Sequence, residues 1–528
     1  MVTITDVLLD VDIVVDVCAG RESQRQLAQR ALRHAEHCGH RLWLSVASVQ
    51  SLIQATAEEL RRQAEHDARE LSSERAYAEA RQELAQFAAG RHWLAALAED
   101  GLVFQHPDCL RAQLMKAVSR LGDNARLLTR DIRLAAQCGQ ALLLGDYLAG
   151  EWPKRPIALV DLQKQLNAIR HHVERNIHRV LHHGQFIMGP EVLELESQLA
   201  HWVGVRHAVA CSSGTDALLM VLMAYGIGPG DAVFTTPFTF VATAEVIALL
   251  RATPVFVDID PHTLNIDPRR LDVAVQRIED EGTLRPRAVI PVDLFGLPAD
   301  YDSIRAVARS RKLFVLEDAA QSFGALYKGR AAGSLGDAAA TSFFPAKPLG
   351  CYGDGGAVFT DDDALADTLR SIRIHGQGMH QYDNVRVGLN GREDTLQAAI
   401  LLAKLQAFPE EVEARQVIAE RYTAGLKDRV ETIAVPDGYR SAWSQYSIMT
   451  DQRDQLRAVL GGRGIPAAIY YPKPLHLQAV FADLGYVEGD LPVAESVAKR
   501  ILSLPMHPYL DEETQQYIID TVRDALAA

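Results

Sequence analysis

The sequence predicts an α/β protein built from more than one domain, and two observations support that prediction. From about Leu159 to the end, amphipathic helical segments alternate with short apolar segments rich in β-formers. Such alternation is typical of a sheet covered by helices. The chain has 528 residues, of which 48% are hydrophobic and 23% charged, so it has enough apolar material for several cores.

Charge, cysteines and hydropathy exclude several classes of protein. The formal net charge of −14 argues against general binding to nucleic acids or acidic membranes, although local cations can still hold an anionic substrate. The 6 cysteines are scattered without a C-x-x-C pair, so reduced thiols are expected rather than a disulfide framework or a zinc site. No apolar run reaches about 18 residues and no signal-peptide pattern opens the chain. We therefore expect a cytoplasmic protein without a membrane span.

The N-terminal part carries acidic residues beside predicted strands. A strand within residues 5–17 contains Asp10, a short strand within 125–135 runs into Asp131, and Asp108 lies between them in the sequence. Carboxylates that converge at the carboxyl edge of a parallel sheet can hold a divalent metal. These three residues are the candidate metal ligands of this part.

A boundary is predicted near residue 150. Pro153 and Pro156 bracket a basic pair, and neither a helix nor a central strand continues through them. We expect an N-terminal domain of residues 1–148, a linker of 149–157 and a large C-terminal region of 158–528.

Lys347 lies in a glycine-rich segment, Thr341–Gly356. A lysine ε-amine forms a Schiff base with an aldehyde when its pKa is low enough to leave part of it neutral. A lysine beside glycines is more often a surface lysine, so the interpretation depends on other segments.

A strand within residues 207–231 runs into Ser213-Gly214-Thr215, and a helix follows. The first N–H groups of a helix point outward and form an anion site suited to phosphate. A plain helix cap by Ser213 or Thr215 explains the same residues. Phe240 follows the next strand, where its ring can stack on a planar ligand or belong to the core.

Another buried strand, within residues 312–325, ends in Glu317-Asp318, with Gln321 on the next turn. A carboxylate at the carboxyl end of a parallel strand lies where such sheets bind ligands. Beside a pyridine ring, Asp318 would keep the ring nitrogen protonated and make the ring an electron sink.

In order and spacing, these segments resemble the DegT/DnrJ/EryC1/StrS family of pyridoxal-phosphate sugar aminotransferases. The motifs include CSSGTDAL, PFTFVATAE, LEDAAQSFGA, TSFFPAKPLGCYGDGGA, VGLNGREDTLQAAILLAKL and YYPKPLHLQ. The resemblance extends from about Ile157 to Ala528. It implies fold type I: a large domain of about 158–405 with a mixed seven-stranded sheet, and a small α+β domain of about 406–528.

The resemblance also implies a role for each matching residue. Lys347 would hold pyridoxal 5′-phosphate as an internal aldimine and shuttle the proton, and Asp318 would pair with the pyridine nitrogen. The other implied cofactor contacts are Gln321 at the ring hydroxyl, Phe240 on the ring face, Gly214, Thr215 and Ser342 at the phosphate, and Asn390 reaching the phosphate from a neighbouring subunit. A homodimer with shared active sites follows from that last contact.

Three further residues are implied to line the sugar-nucleotide site: Arg392, Tyr471 and His476. Arg392 has a structural ion pair as its alternative role. The reaction implied is transfer of the amino group of L-glutamate, which leaves as 2-oxoglutarate, to a UDP- or dTDP-linked ketosugar for surface polysaccharide or O-antigen.

The whole-chain pattern most resembles the branch that acts on UDP-2-acetamido-2-deoxy-3-oxo-glucuronate. That branch carries histidine before the active-site tyrosine, where this chain has Tyr470. A 4-keto-6-deoxy nucleotide sugar is therefore an alternative substrate. A non-catalytic regulatory or interaction homologue is a second alternative, and it predicts erosion of motifs that are intact here.

The first part of the chain resembles a PIN-type domain, the fold of metal-dependent ribonucleases. LLDVD, HPDCLRAQLM and LLTRD match its acidic segments and contain Asp10, Asp108 and Asp131. Gln50 or Gln54 stands where the family usually has glutamate, and no basic stripe for RNA is present. A scaffold or interaction module is favoured over an active nuclease.

Overall fold

The computed structural model describes residues 157–380 and 382–527, together with short strands in the part that precedes them. The chain divides into two compact units, residues 1–156 and residues 157–528. The predicted metal ligands Asp10, Asp108 and Asp131 lie outside the described residues.

The described strands of the first unit form one parallel sheet. They are β1 (Asp6–Leu9), β2 (Arg41–Ser45), β3 (His92–Leu94), β4 (Ala125–Thr129) and β5 (Ala141–Leu143). Their order is β3-β2-β1-β4-β5, and every neighbouring pair is parallel. The described strands β1 and β4 fall within the segments 5–17 and 125–135 that were predicted as strands, and they lie side by side.

The strands of the second unit belong to one large sheet and two small ones. The large sheet contains β6 (His207–Cys211), β7 (Asp231–Thr235), β8 (Thr253–Phe256), β9 (Arg285–Ile290), β10 (Phe314–Asp318), β13 (Ala338–Ser342) and β14 (Gly356–Thr360). The small sheets contain β11 (Leu326–Tyr327), β12 (Arg330–Ala331), β15 (Glu431–Thr432), β16 (Tyr439–Arg440), β17 (Tyr446–Met449) and β18 (Ile501–Leu504).

Helices are numbered from the first one described. They are α1 (Leu162–His183), α2 (Pro190–Val203), α3 (Gly214–Ala224), α4 (Ala242–Leu249), α5 (Pro268–Glu281), α6 (Tyr301–Arg311), α7 (Asp363–Ile372), α8 (Thr395–Leu426), α9 (Arg453–Gly462), α10 (Pro492–Arg500) and α11 (Glu512–Ala527). Short 3-10 helices are Leu294–Gly296, Leu475–Leu477 and Ala479–Leu484.

The large sheet has seven strands in the order β6-β14-β13-β10-β9-β7-β8. Only β14 is antiparallel to its neighbours in this sheet, and the other pairs are parallel. The mixed seven-stranded sheet confirms the prediction. All strands except β14 therefore run in one direction, and their carboxyl ends share one edge.

Helices cover both faces of this sheet. Val233 of β7 packs in one apolar cluster with residues of α3, α4 and α7, whereas Phe234 packs in another with residues of α5 and α6. Because successive side chains of a strand point to opposite faces, this division means that both faces are buried. The polar residues at the strand ends are the part of the sheet that remains open to a ligand.

The C-terminal part is organised by α8, a helix of 32 residues. Its second half packs with α9, α11 and the antiparallel sheet β15-β17-β18 in a separate apolar cluster. The predicted division at residue 405 falls inside this helix, so the domain bounds stay a prediction. Among the described helices, none combines the length and the apolar character needed to span a bilayer.

Candidate active site

Lys347 lies in the turn that follows β13. Its backbone N–H donates to the carbonyl of Phe344 at 2.9 Å, and its side chain is half-buried. Burial lowers the pKa of the Lys347 amine, and the nearby Asp318 carboxylate opposes that shift. A lowered pKa leaves more of the amine neutral, which is the form that attacks an aldehyde and accepts a proton.

Asp318 is the last residue of β10 and is 5% exposed. Its Oδ2 accepts a hydrogen bond from Thr243 Oγ1 at 2.8 Å, and its Oδ1 accepts from the Ala320 N–H at 3.2 Å. Burial raises the pKa of Asp318, whereas these two hydrogen bonds and the charge of Lys347 lower it. The carboxylate is thus held in one orientation, suited to a protonated ring nitrogen.

Gln321 follows Asp318 by one turn and is 7% exposed. Its Oε1 accepts from the Phe295 N–H at 2.5 Å, and its Nε2 lies 3.4 Å from Tyr471 Oη. Burial and the Asp318 carboxylate raise the pKa of Tyr471, so the side chain remains a phenol. The structure therefore joins the predicted cofactor residue Gln321 to the predicted substrate residue Tyr471.

The start of α3 and the end of β13 meet closely. Ser213 caps α3, since its Oγ accepts from the Asp216 N–H at 3.1 Å. A Cβ on Gly214 would lie 2.7 Å from Ser342 Cβ, so only glycine permits this approach. The start of α3, whose first N–H groups belong to Gly214 and Thr215, thus lies against Ser342, an arrangement suited to a phosphate. A helix cap and a phosphate site are compatible here. Ser213 caps the Asp216 N–H, and the N–H groups of Gly214 and Thr215 are left to a ligand.

Phe240 lies just before α4 and is 58% exposed, whereas Phe238 is fully buried. The accessible ring of Phe240 is available to a planar ligand, while Phe238 packs edge-on against Tyr471 with ring centroids 6.1 Å apart. Of the two aromatic residues in this loop, Phe240 is the candidate for stacking and Phe238 belongs to the core.

Asn390 and Arg392 lie in the loop between α7 and α8. Asn390 is exposed and pairs with Ile374 in an isolated antiparallel bridge. Gly391 accepts a hydrogen bond from the Ser212 N–H at 3.1 Å, which attaches this loop to the turn before α3. Arg392 is half-buried, and its Nε is buried without a hydrogen-bond partner among the described residues. An unpaired guanidinium nitrogen leaves a donor for an anionic group.

His476 is 1% exposed and belongs to the short helix Leu475–Leu477. Its Nε2 lies 3.0 Å from Glu495 Oε1, and Glu495 also accepts from the Gly489 N–H at 3.0 Å. The imidazole is thus engaged in packing the C-terminal part. Its predicted role as a substrate ligand stays a prediction.

Two groups that position site residues were not predicted from the sequence. Thr243 orients Asp318, and its only signal was the pair Thr239 and Thr243 at a spacing of four, whose hydroxyls lie 3.1 Å apart. The Phe295 N–H is a backbone group in a turn whose φ is 59°, and side-chain patterns do not reveal such a donor.

These residues fit pyridoxal phosphate. A lysine with a lowered pKa suits its aldehyde, a buried strand-end carboxylate suits its ring nitrogen, and the cradle that a Cβ on Gly214 would fill suits its phosphate. Among the described residues, no group of three histidine, cysteine, aspartate or glutamate side chains could hold a metal ion.

Comparison with known proteins places this geometry in a family. A model of the DegT/DnrJ/EryC1/StrS aminotransferase family matches residues 167–523. UDP-2-acetamido-2-deoxy-3-oxo-D-glucuronate aminotransferase of Pseudomonas aeruginosa is 50% identical over 356 residues, which are 67% of this chain and 96% of that protein.

Solved structures agree with that match. A DegT DnrJ EryC1 StrS aminotransferase from Brucella abortus superposes with a TM-score of 0.69 at 52% identity, over 70% of this chain and 100% of that one. NtdA of Bacillus subtilis with bound cofactor PMP has a TM-score of 0.62 at 27% identity, over 70% of this chain and 83% of that one. The chain therefore belongs to the DegT/DnrJ/EryC1/StrS aminotransferase family.

Proposed function

We propose that this chain is a pyridoxal-phosphate-dependent transaminase that moves an amino group from L-glutamate to a nucleotide-linked 3-ketosugar. One observation carries the proposal: Lys347, an amine whose pKa burial lowers, faces the buried strand-end carboxylate of Asp318 at the open edge of the sheet. The Gly214–Ser342 cradle lies at the same edge.

The described residues have distinct tasks in this reaction. When bound, pyridoxal phosphate supplies an electron sink for the charge that develops at the carbon losing its proton. The Lys347 Nζ, in its neutral form, accepts that proton from the amino donor and returns it to the new position. Asp318, oriented by Thr243, stabilises positive charge at the ring nitrogen, while the N–H groups of Gly214 and Thr215 and the Ser342 hydroxyl bind the phosphate.

The proposed substrate is a UDP-linked 3-keto-N-acetyl-hexuronate. The Pseudomonas aeruginosa relative carries the name of an aminotransferase for such a sugar. An acidic sugar needs cations, and the buried, unpaired Arg392 Nε and the exposed Lys473 are candidates for that contact. Tyr470 keeps a 4-keto-6-deoxy sugar as the alternative, because it differs from the residue expected before the active-site tyrosine.

We also propose a homodimer in which Asn390 of one subunit reaches the phosphate site of the other. The loop before Asn390 supports this proposal, because Met379, Tyr382 and Val387 are 93%, 88% and 82% exposed. Apolar side chains so exposed in one loop are typical of a surface that another chain covers. Asn390 is itself exposed and therefore accessible to a second subunit, as shared active sites require.

The N-terminal unit is proposed to be a PIN-like scaffold or interaction module. Its described strands form an all-parallel sheet with β1 in the centre, which is compatible with that fold. A cytoplasmic location is proposed as well. It is supported by Cys211 and Cys351, which are buried free thiols.

The proposed reaction is tested with the purified protein loaded with pyridoxal phosphate. L-glutamate should bleach the visible absorption of the bound cofactor and release 2-oxoglutarate. A panel of 3-keto and 4-keto UDP- and dTDP-sugars then identifies the acceptor from the mass of the aminated product.

We expect amination of the UDP-linked 3-keto acid. Amination of a 4-keto sugar alone would select the alternative substrate. A protein that takes up no cofactor and releases no 2-oxoglutarate would contradict the proposed reaction and favour a regulatory homologue.

A further inference from the structure

Gln321 lies where three distant segments of the chain meet. It follows β10, its Oε1 accepts from the Phe295 N–H at 2.5 Å, and its Nε2 lies 3.4 Å from Tyr471 Oη. The side chain is 7% exposed, so its amide is largely withdrawn from solvent. The orientation of this amide is therefore decided by its protein neighbours.

The identity of the neighbouring donor decides which way the amide faces. A backbone N–H can only donate, so the atom that Gln321 turns toward Phe295 must be its carbonyl oxygen. The NH₂ group must then face Tyr471. One of its two protons is directed at the phenol oxygen, and the second is left for another acceptor.

The turn that carries the Phe295 N–H is fixed by hydrogen bonds to other segments of the chain. The Asp293 N–H donates to the Asp318 carbonyl at 3.1 Å, and the Phe295 carbonyl accepts from the Ser444 N–H at 3.0 Å. The Leu294 N–H donates to Asn265 Oδ1 at 3.0 Å. Phe295 also has a φ of 59°, a conformation that a bulky residue adopts only when its surroundings impose it.

Tyr471 completes the arrangement from the other side. Its ring packs edge-on against Phe238 with ring centroids 6.1 Å apart, which restricts where the hydroxyl can go. As a phenol it accepts from Gln321 Nε2 and keeps its own proton for a second partner. The segment that carries the predicted sugar contacts is thereby connected to the residue predicted to contact the cofactor ring.

We propose that Tyr471 and the Phe295 amide are positioning groups for Gln321, which together direct its second amide proton at the ring hydroxyl of bound pyridoxal phosphate. The proposal rests on the proposed function of the site. Tyr471 then influences the cofactor before any sugar is present, in addition to lining the sugar site. The sugar-binding segment and the electronic state of the ring are coupled through one amide.

The test compares the loaded wild-type protein with Tyr471→Phe and Gln321→Glu, without sugar. The readouts are the dissociation constant of pyridoxal phosphate and the pH dependence of its visible absorption. Phenylalanine removes the acceptor for Nε2, and glutamate keeps the bond to Phe295 but replaces the donor with an acceptor. We expect both variants to weaken cofactor binding about two- to tenfold, the worth of one hydrogen bond, and to shift the spectral transition.

Tyr446→Phe is the matched control. Tyr446 is a buried tyrosine of the same C-terminal part, and its hydroxyl lies 2.8 Å from Thr423 Oγ1 rather than near Gln321. This variant should lower the melting temperature and leave both cofactor readouts at the wild-type values.

Two results would overturn the proposal. One is a Tyr471→Phe variant with wild-type cofactor affinity and spectrum that raises only the KM for the sugar, which would make Tyr471 a substrate contact alone. The other is a Gln321→Glu variant with an unchanged spectrum. A wild-type protein that never takes up pyridoxal phosphate would instead reject the proposed function itself.

Discussion

Among the residues that the structure describes, two lysines have lowered pKa values, yet their surroundings differ in kind. Lys347 lies in a turn at the open edge of the sheet, where the Asp318 carboxylate faces it. Lys404 lies within α8, is 1% exposed, and its Nζ lies 4.3 Å from the centre of the Tyr352 ring. Burial lowers the pKa of Lys404 to about 8, against the effect of Glu411.

The difference shows that a lowered pKa does not by itself identify a catalytic lysine. The Lys404 amine has no hydrogen-bond partner among the described residues, and it lies over the ring of Tyr352. Lys347 is half-buried, the strand-end carboxylate of Asp318 interacts with it, and Ser342 of the proposed phosphate cradle precedes it by five residues. Both amines have a carboxylate neighbour, so position at the open edge of the sheet is what distinguishes the proposed reactive amine of Lys347 from that of Lys404.

The largest effect is expected for Lys347→Ala, which tests whether Lys347 rather than Lys404 is the reactive lysine. It removes the amine that carries the proton, so turnover of L-glutamate with the ketosugar should fall by about 10³-fold or more. The melting temperature should not fall, because the substitution also removes an amine whose charged form is disfavoured by burial. Lys404→Met is the control and should keep turnover within about twofold of wild type, since the Lys404 amine lies over the Tyr352 ring and has no hydrogen bond to a predicted site residue. Turnover in Lys347→Ala within tenfold of wild type would refute the assignment of the reactive lysine.

Gly214→Ala tests whether the cradle beside Lys347 binds the phosphate. Its Cβ would meet Ser342 Cβ at 2.7 Å, so the start of α3 must move away from Ser342. We expect the dissociation constant of pyridoxal phosphate to rise about tenfold, a cost of about 1.4 kcal/mol. Titration of the visible absorption with cofactor measures this change.

The matched control for Gly214 is Gly461→Ala in α9. A Cβ there has nothing within 4 Å, so the substitution should leave cofactor binding unchanged. It should stabilise the helix by about 0.5–1 kcal/mol. Equal cofactor affinity in both glycine variants would show that the Gly214–Ser342 contact does not shape the phosphate site.

Lys404→Met also tests how the buried charge of Lys404 affects the free energy of unfolding. Its pKa is about 8 in the folded chain against 10.5 for an ordinary lysine. Between these values the unfolded state binds more protons, so the free energy of unfolding of the wild type rises with pH. Below pH 8 both states carry the proton and the cost of burying the charge is complete.

Removing that charge should raise the free energy of unfolding by about 1–3 kcal/mol at pH 7. The gain should shrink as the pH approaches 10.5, where the wild-type lysine is neutral in the folded state. Denaturant unfolding of both proteins at pH 7 and pH 10 measures the difference. A gain that is the same at both pH values would mean that the Lys404 amine is not buried as a charge.

Much of the site could be predicted from the sequence because its members follow recognisable elements. Asp318 ends a strand, Gly214 opens a helix and Lys347 lies among glycines, so each has a local signal. Thr243 and the Phe295 N–H could not be predicted, since one is an ordinary helix residue and the other a backbone group. Their roles arise only when separate segments meet.

The C-terminal part shows the same limit. The resemblance around His476 implied a substrate contact, and that role stays a prediction; the structure shows its imidazole buried and 3.0 Å from Glu495. The motif places this histidine only five residues beyond Tyr471, and spacing along the chain does not say which way a side chain faces. That direction depends on α10, which carries Glu495.

The sequence by itself determined the alternation of strands and helices, the order of the site motifs and the family to which the chain belongs. These properties are local, because periodicity, helix caps and glycine positions act within a few residues. Only the tertiary structure decided that Lys347, and not Lys404, faces a carboxylate at an open edge. It also decided that Gln321 is held between Phe295 and Tyr471. Both depend on residues 26 to 150 positions apart in the chain, whose contacts arise from the packing of the whole fold.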